Sequence, residues 1–269
     1  MKVLSLFDWI ACWYEALKKA WIQIDAYYAS EIDKYAIHIA KKNHEDIIEI
    51  WDVTQIKWSD YQDIDLIIWW SPCQWFSLAW KQLAFDDPRS KLFFEFVRLV
   101  KEIQPKYFLL ENVKMKKEYV DIISDQLWVQ PIEINSCLVS AQNRKRLYWT
   151  NIQGIEQPKD KWILLKDILE KDVEENGFIV WNQYNNRIFV EKSWTLWTWM
   201  WRTNKQWIWI YKWSIRPENF IRKLTPIECE RLQTLPDNYT EWISNCQRYK
   251  ALWNWRTVDV IAHIFSFIK

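Results

Sequence analysis

The sequence predicts an α/β protein built on a parallel sheet with crossover helices. Three observations predict it. Over the first 150 residues, short apolar runs alternate with amphipathic stretches at the spacing of a strand–helix–strand series. The 269-residue chain is 50% hydrophobic, which suits one large core with a smaller region beside it. No apolar, uncharged run reaches the roughly 18 residues of a membrane-spanning helix.

Residues 3–7 read as the first buried strand and 15–20 as the first helix. Residues 24–29 are the second strand and 32–42 the second helix. Short strands follow at 47–50 and 64–68, then a helix over 92–103, a strand over 107–110 and a helix over 118–127. Two more strands, 132–139 and 146–151, read as a hairpin-like end to the sheet. From 152 to 221 periodicity fades, and polar residues crowd with Trp. Two helical patterns return at 225–235 and 246–268. Thr225-Pro226-Ile227-Glu228 predicts an N-cap, a first-turn proline and a reciprocal capping box.

Charge is nearly balanced, 36 basic against 35 acidic residues, which excludes a histone-like or acidic-tail protein. It is unevenly placed: residues 187–223 carry eight Lys/Arg and two Asp/Glu, so a basic patch sits in the irregular region. The five cysteines (Cys12, Cys73, Cys137, Cys229, Cys246) have no CxxC spacing. That fits a reducing cytoplasm and argues against a disulfide scaffold or a metal site. The opening MKVLSLFD enters a strand pattern directly, with no signal-peptide pattern.

Trp occurs 23 times and Gly twice, where about 19 Gly are expected. A code that reads UGA as glycine, translated with a table that reads it as tryptophan, produces this pattern. Seven Trp fall between Trp194 and Trp213. As indoles they form an implausibly large exposed aromatic surface; as glycines they make an ordinary binding segment.

Chemistry-bearing residues gather where strands end. Phe7-Asp8-Trp9-Ile10-Ala11-Cys12-Trp13 lies at the turn from strand one into helix one, where doubly wound sheets bind nucleotides. Such a turn needs glycine, because a Cβ blocks close approach. Glu31 ends the second strand pattern, placed to hold ribose hydroxyls. Asp52, with Val53, follows the third, placed to accept from an adenine amino group. Singly, each acid fits a solvated loop. After the fourth strand comes Ser71-Pro72-Cys73-Gln74, a thiol at a strand end and a candidate nucleophile. A buried structural Cys is the commoner fate, but Pro72 fixes the backbone just before this thiol. Glu111-Asn112-Val113 ends the fifth strand. Gln142, Arg144 and Arg146 supply an amide and cations between the last two strands; alone, they fit a charged turn.

In this order the motifs resemble those of the cytosine-5 DNA methyltransferases. Phe7 to Trp13 resembles the family's S-adenosylmethionine loop, Glu31 its ribose acid and Asp52 its adenine acid. Trp69 to Ser77 matches Gly-Gly-Ser-Pro-Cys-Gln-Gly-Phe-Ser once Trp69, Trp70 and Trp75 are taken as Gly. Glu111-Asn112-Val113 matches Glu-Asn-Val, and Gln142, Arg144 and Arg146 match Gln-x-Arg-x-Arg. Arg222 to Asp237 and Ala251 to Val258 resemble the last two motifs, with Asn254 and Trp255 completing the cofactor pocket. Family glycines thus fall on Trp9, Trp13, Trp69, Trp70, Trp75, Trp253 and Trp255, whereas Trp149 stands at a family aromatic. Lys91 to Phe96 and the short variable region look most like the animal de novo enzymes and their bacterial and phage relatives.

The resemblance implies a Rossmann-like, class I S-adenosylmethionine-dependent fold. Residues 1–151 form the catalytic domain, 152–221 the target recognition region, and 222–269 helices that complete the first. It implies a thiolate attack by Cys73 on C6 of a flipped-out cytosine in double-stranded DNA, with Glu111 on N3 and Arg144 or Arg146 on O2 or a phosphate. Phe7, Asp8, Trp9, Ile10, Cys12, Glu31, Asp52, Val53, Pro72, Asn254 and Trp255 are the expected cofactor residues. Gln74, Arg202, Lys205, Lys212, Arg216 and Arg222 are the expected DNA contacts. A cognate restriction endonuclease is a candidate partner, and the cytoplasm of a bacterial or phage-infected cell the expected location. Cys137, Cys229 and Cys246 read as core residues. The rival readings are a transfer-RNA cytosine-5 methyltransferase and, if the tryptophans are genuine, a catalytically silent DNA-binding paralogue.

Overall fold

The computed structural model describes residues 1–61, 63–70, 88–171, 193–194, 224–253 and 256–269. Strands β1 (Lys2–Leu6), β2 (Ala26–Ser30), β3 (Ile48–Glu49), β4 (Leu66–Trp70), β5 (Tyr107–Val113) and β6 (Ile132–Asn135) precede a short β7 (Gln142–Asn143). They are followed by β8 (Lys145–Thr150) and β9 (Ser193–Trp194). One seven-stranded sheet has the order β3-β2-β1-β4-β5-β8-β6, and β7 pairs with β9 in a second. Strands β1 to β5 are mutually parallel. The eighth runs antiparallel to β5, from Leu109↔Thr150 to Val113↔Arg146.

The helices are α1 (Cys12–Lys19), α2 (Lys34–Asn43), α3 (Pro88–Ile103), α4 (Lys117–Leu127) and α5 (Leu165–Ile168). Near the end of the chain come α6 (Pro226–Leu232), α7 (Asn245–Trp253) and α8 (Val258–Phe265). The central strand β4 is buried along its whole length, as a parallel strand covered on both faces must be. Its side chains join those of β1, α3, β5 and α4 in one core that includes Leu4, Ile67, Phe96, Leu110 and Ile123. Asp33 caps α2, accepting from the amides of Tyr35 at 2.9 Å and Ala36 at 3.2 Å. The capping box at α6 forms as its sequence predicts. Thr225 Oγ1 accepts from the Glu228 amide at 3.1 Å, and Glu228 Oε2 accepts from the Thr225 amide at 2.9 Å.

Three expectations need correction. The strand pattern over 132–139 breaks after Asn135, because its Oδ1 captures the amides of Cys137 (3.2 Å) and Arg144 (3.0 Å) and starts a 3-10 turn. The helical pattern over 246–268 divides into α7 and α8. The first amides of α8 bond outside the helix, Val258 to the Gln233 carbonyl and Asp259 to Thr234 Oγ1, both at 2.9 Å. Cys246 is exposed at the start of α7 and Cys137 is half-buried in the 3-10 turn, so neither lies in the core, whereas Cys12 and Cys229 are buried.

The chain divides into two compact units. The first comprises Met1–Ile134, Lys145–Gln157 and Val260–Lys269; the second comprises Asn135–Arg144 and Pro158–Asp259. Among the described residues, no helix is long and apolar enough to cross a membrane.

Candidate active site

In the first unit, the carboxyl ends of the parallel strands gather the expected residues. β1 ends at Leu6, and the turn that follows is unusual: Phe7 (φ 58°), Trp9 (φ 58°) and Ala11 (φ 57°) are all left-handed. Asp8 is buried in it and accepts from the Ser5 and Tyr27 hydroxyls, each at 2.5 Å. Its amide donates to the Ser30 carbonyl at 3.1 Å, tying the turn to the end of β2. Ile10 and Cys12 are buried beneath the turn.

Glu31 follows β2 directly and is buried. Its Oε2 accepts from the Trp9 amide at 2.9 Å, and its Oε1 from the amides of Ile32 and Asp33, both at 2.8 Å. Burial raises its pKa, and the three amides pull the other way. Asp52, after β3, is exposed; its Oδ1 accepts from the Thr54 amide and hydroxyl, both at 2.9 Å. Val53 beside it is buried in the core. Glu49, on β3, lies outside every motif read from the sequence. Burial, with Asp8 and Glu31 nearby, pushes its carboxyl up to about 7. A glutamate at a strand end beside Asp52 was the available signal.

Glu111 sits near the carboxyl end of β5, buried, in register with Trp70 on β4 and Tyr148 on β8. The Arg146 guanidinium Nε lies 3.3 Å from its Oε1. The pair is nearly dry, so each group needs the other: a lone buried charge is strongly disfavoured. In the second unit, Arg144 is buried; its carbonyl accepts from the Ser136 amide at 3.0 Å. Gln142 is fully buried there as well.

The structure thus joins Phe7, Asp8, Trp9 and Glu31 through one hydrogen-bonded turn, and Glu111 with Arg146 through an ion pair. Pro72, Cys73, Gln74, Arg202, Lys205, Lys212, Arg216, Arg222, Asn254 and Trp255 lie outside the described residues. Among the described residues, no group of three or more His, Cys, Asp or Glu is arranged to hold a metal ion. Chemically, acids at successive strand ends suit the hydroxyls and amine of a nucleoside, and a buried carboxyl–guanidinium pair suits a polar heterocycle.

Comparison with known proteins agrees. The model of the C-5 cytosine-specific DNA methylase family matches residues 1–192 and 116–269. The type II methyltransferase M1.ScrFI of Lactococcus lactis subsp. cremoris is 33% identical over 275 residues, covering 89% of this chain and 70% of that protein. The type II methyltransferase M.NlaX of Neisseria lactamica is 28% identical over 300 residues, covering 100% of this chain and 96% of its own. In fold, the chain resembles a Spodoptera frugiperda DNMT2 mutant at a TM-score of 0.75 and 20% identity, covering 99% of this chain and 98% of that one. The seven-stranded sheet is the Rossmann-like sheet of these methyltransferases. Membership implies S-adenosylmethionine as methyl donor. The chain belongs to the C-5 cytosine-specific DNA methylase family.

Proposed function

We propose that this chain, when made with glycine in place of motif tryptophans such as Trp9, methylates C5 of cytosine in double-stranded DNA through a covalent adduct between Cys73 and a flipped-out base. The observation that carries the proposal is the buried Glu111–Arg146 pair, on the strand next to the one that leads into Pro72-Cys73. The backbone of the β1–α1 turn and the Glu31 and Asp52 acids fit S-adenosylmethionine. The indole of Trp9 does not: it occupies the turn itself, 6.1 Å from the ring of Trp70 at the next strand end. Bound there, S-adenosylmethionine supplies an electrophilic methyl group.

The chain's own residues do the rest. Flipping removes the target base from the stack at a cost of a few kcal/mol. The Cys73 thiolate forms a bond to C6, which makes C5 nucleophilic. Glu111, taking up a proton as the base enters, donates a hydrogen bond to N3 and stabilises the charge that develops there. Arg146 holds the Glu111 carboxyl in place. Arg144 contacts the base O2 or a neighbouring phosphate. C5 gains the methyl group, then loses its proton to a base, and the C6–sulfur bond breaks to free Cys73.

The remaining assignments follow the same reading. Residues 1–151 and 222–269 make up the catalytic domain and 152–221 the recognition region. Within that region Arg202, Lys205, Lys212, Arg216 and Arg222 meet DNA, Gln74 contacts it from the nucleophile loop, and a cognate endonuclease accompanies the enzyme in the cytoplasm. The test offers the glycine form of the chain labelled methyl donor with duplex DNA and with transfer RNA. Label in duplex DNA is expected; label in RNA alone would replace the DNA reading with the RNA one. A duplex carrying 5-fluorocytosine has no C5 proton to lose, so the protein should stay covalently attached through Cys73. Turnover on that duplex without attachment refutes the thiol mechanism.

A further inference from the structure

The structure separates the tryptophans by backbone conformation, with no use of motif resemblance. Among the described residues, ten non-glycine residues have positive φ, and five of them are Trp9, Trp21, Trp51, Trp128 and Trp162, with φ between 55° and 59°. Ten positions drawn at random from a chain with 23 Trp in 269 residues would hold fewer than one. A bulky side chain is disfavoured in this conformation, which is glycine's own. The described glycine, Gly154, adopts it too (φ 77°).

The setting of Trp21 is the most telling. Helix α1 ends with the Trp21 amide bonded to the Lys18 carbonyl at 3.0 Å and the Ile22 amide to that of Leu17 at 3.1 Å. That pair of bonds defines a Schellman motif, with Trp21 at the position where glycine is strongly enriched. Its indole is 94% exposed, so packing does not explain it. Trp128 closes α4 in the same left-handed conformation and is 73% exposed. Trp162 is 76% exposed. None of these three falls in a family motif. A second sign marks two buried tryptophans: the Nε1 atoms of Trp69 and Trp253 lack hydrogen-bond partners among the described residues.

Trp149 shows the opposite on every count. It lies within β8, is fully buried in the core, and its Nε1 donates to Ser124 Oγ at 3.0 Å. A ring so placed is one the fold uses.

We infer that Trp9, Trp21, Trp51, Trp128 and Trp162 stand where the protein made by its own host carries glycine, whereas Trp149 is tryptophan there too. The gene is then written in a code in which UGA means glycine. The consequence is functional. A cell with that code makes the open β1–α1 turn; a cell that reads UGA as tryptophan makes this chain, with Trp9 in the cofactor turn. Cofactor binding, and any activity that needs it, is thereby confined to hosts sharing the code.

The first test reads the six codons in the gene, which is independent of any methyltransferase activity. UGA at the five left-handed positions and UGG at Trp149 is expected; UGG at two or more of the five overturns the inference. The second compares two full-length chains, one as written and one with glycine at every UGA position. The glycine chain should melt higher and bind S-adenosylhomocysteine at least tenfold more tightly by calorimetry. Equal melting and equal binding overturn the claim that the indoles block the turn.

Discussion

Replacing Trp21 by glycine and by alanine isolates the backbone term from everything else the indole does. Both variants remove the same ring, which is 94% exposed and contributes almost no burial. They differ in how well they tolerate φ 58°. A residue with a Cβ loses about 1–2 kcal/mol in the left-handed region. Glycine carries a counter-term of about 0.4–1 kcal/mol, from its greater freedom in the unfolded chain. The balance favours Trp21→Gly over Trp21→Ala by about 0.5–1 kcal/mol, the reverse of their order inside a helix. For a domain of this size that is roughly 1–4 °C in Tm. Made at Trp21, Trp128 and Trp162 together, the glycine set should exceed the alanine set by about 1.5–3 kcal/mol if the positions act independently. Urea denaturation with a shared m-value is the assay. Alanine variants as stable as their glycine counterparts would refute the assignment of these positions to a glycine conformation.

Trp149→Gly should behave in the opposite way, losing about 3–5 kcal/mol because it empties a buried site and strands the Ser124 hydroxyl; chemical denaturation reads it. In the glycine form of the chain, Cys73→Ser should lower methyl transfer roughly 10⁴–10⁶-fold while cofactor binding by calorimetry stays intact. Arg146→Ala leaves the buried Glu111 carboxylate without its cation, and should lower both stability and turnover, with Arg146→Lys restoring part of each. Glu49 binds its proton more tightly folded than unfolded, so its favourable contribution is complete below pH 4.5 and is lost as pH rises through about 7. His44, buried and lowered to about 4 from 6.5, contributes above pH 6.5 and loses that contribution as pH falls toward 4. Glu49→Gln should therefore raise Tm above pH 7, leave it unchanged below pH 4.5, and uncover the acid loss due to His44 in thermal melts across that window.

Local chemistry was legible in the sequence, and long-range pairing was not. The capping box at Thr225 was readable because four adjacent residues carry both of its hydrogen bonds. The place of Glu31 was readable because strand alternation puts it one residue past β2. The insertion of β8 between β5 and β6 was not, since it depends on a register set by residues some forty apart, such as Leu109 and Thr150. The turn at Asn135 was hidden because its side chain competes with the strand ladder and apolar patterning does not register that. The end of α1 was hidden for another reason: glycine is the punctuation a reader looks for there, and the chain is written with Trp21.

The segment Val260–Lys269 belongs with residues synthesised far earlier. Ile261, Ile264 and Phe265 are buried in the first unit, and the Lys269 carbonyl accepts from the Tyr107 hydroxyl at 2.6 Å and Lys106 Nζ at 2.8 Å. A ribosome adding about 5–20 residues per second takes roughly 7–30 s to travel from the end of β5 to Val260. For that interval the five parallel strands exist without the helix that seals them. Their apolar surface is then open to chaperones and to neighbouring nascent chains, so the yield of folded protein depends on how fast the second unit is translated.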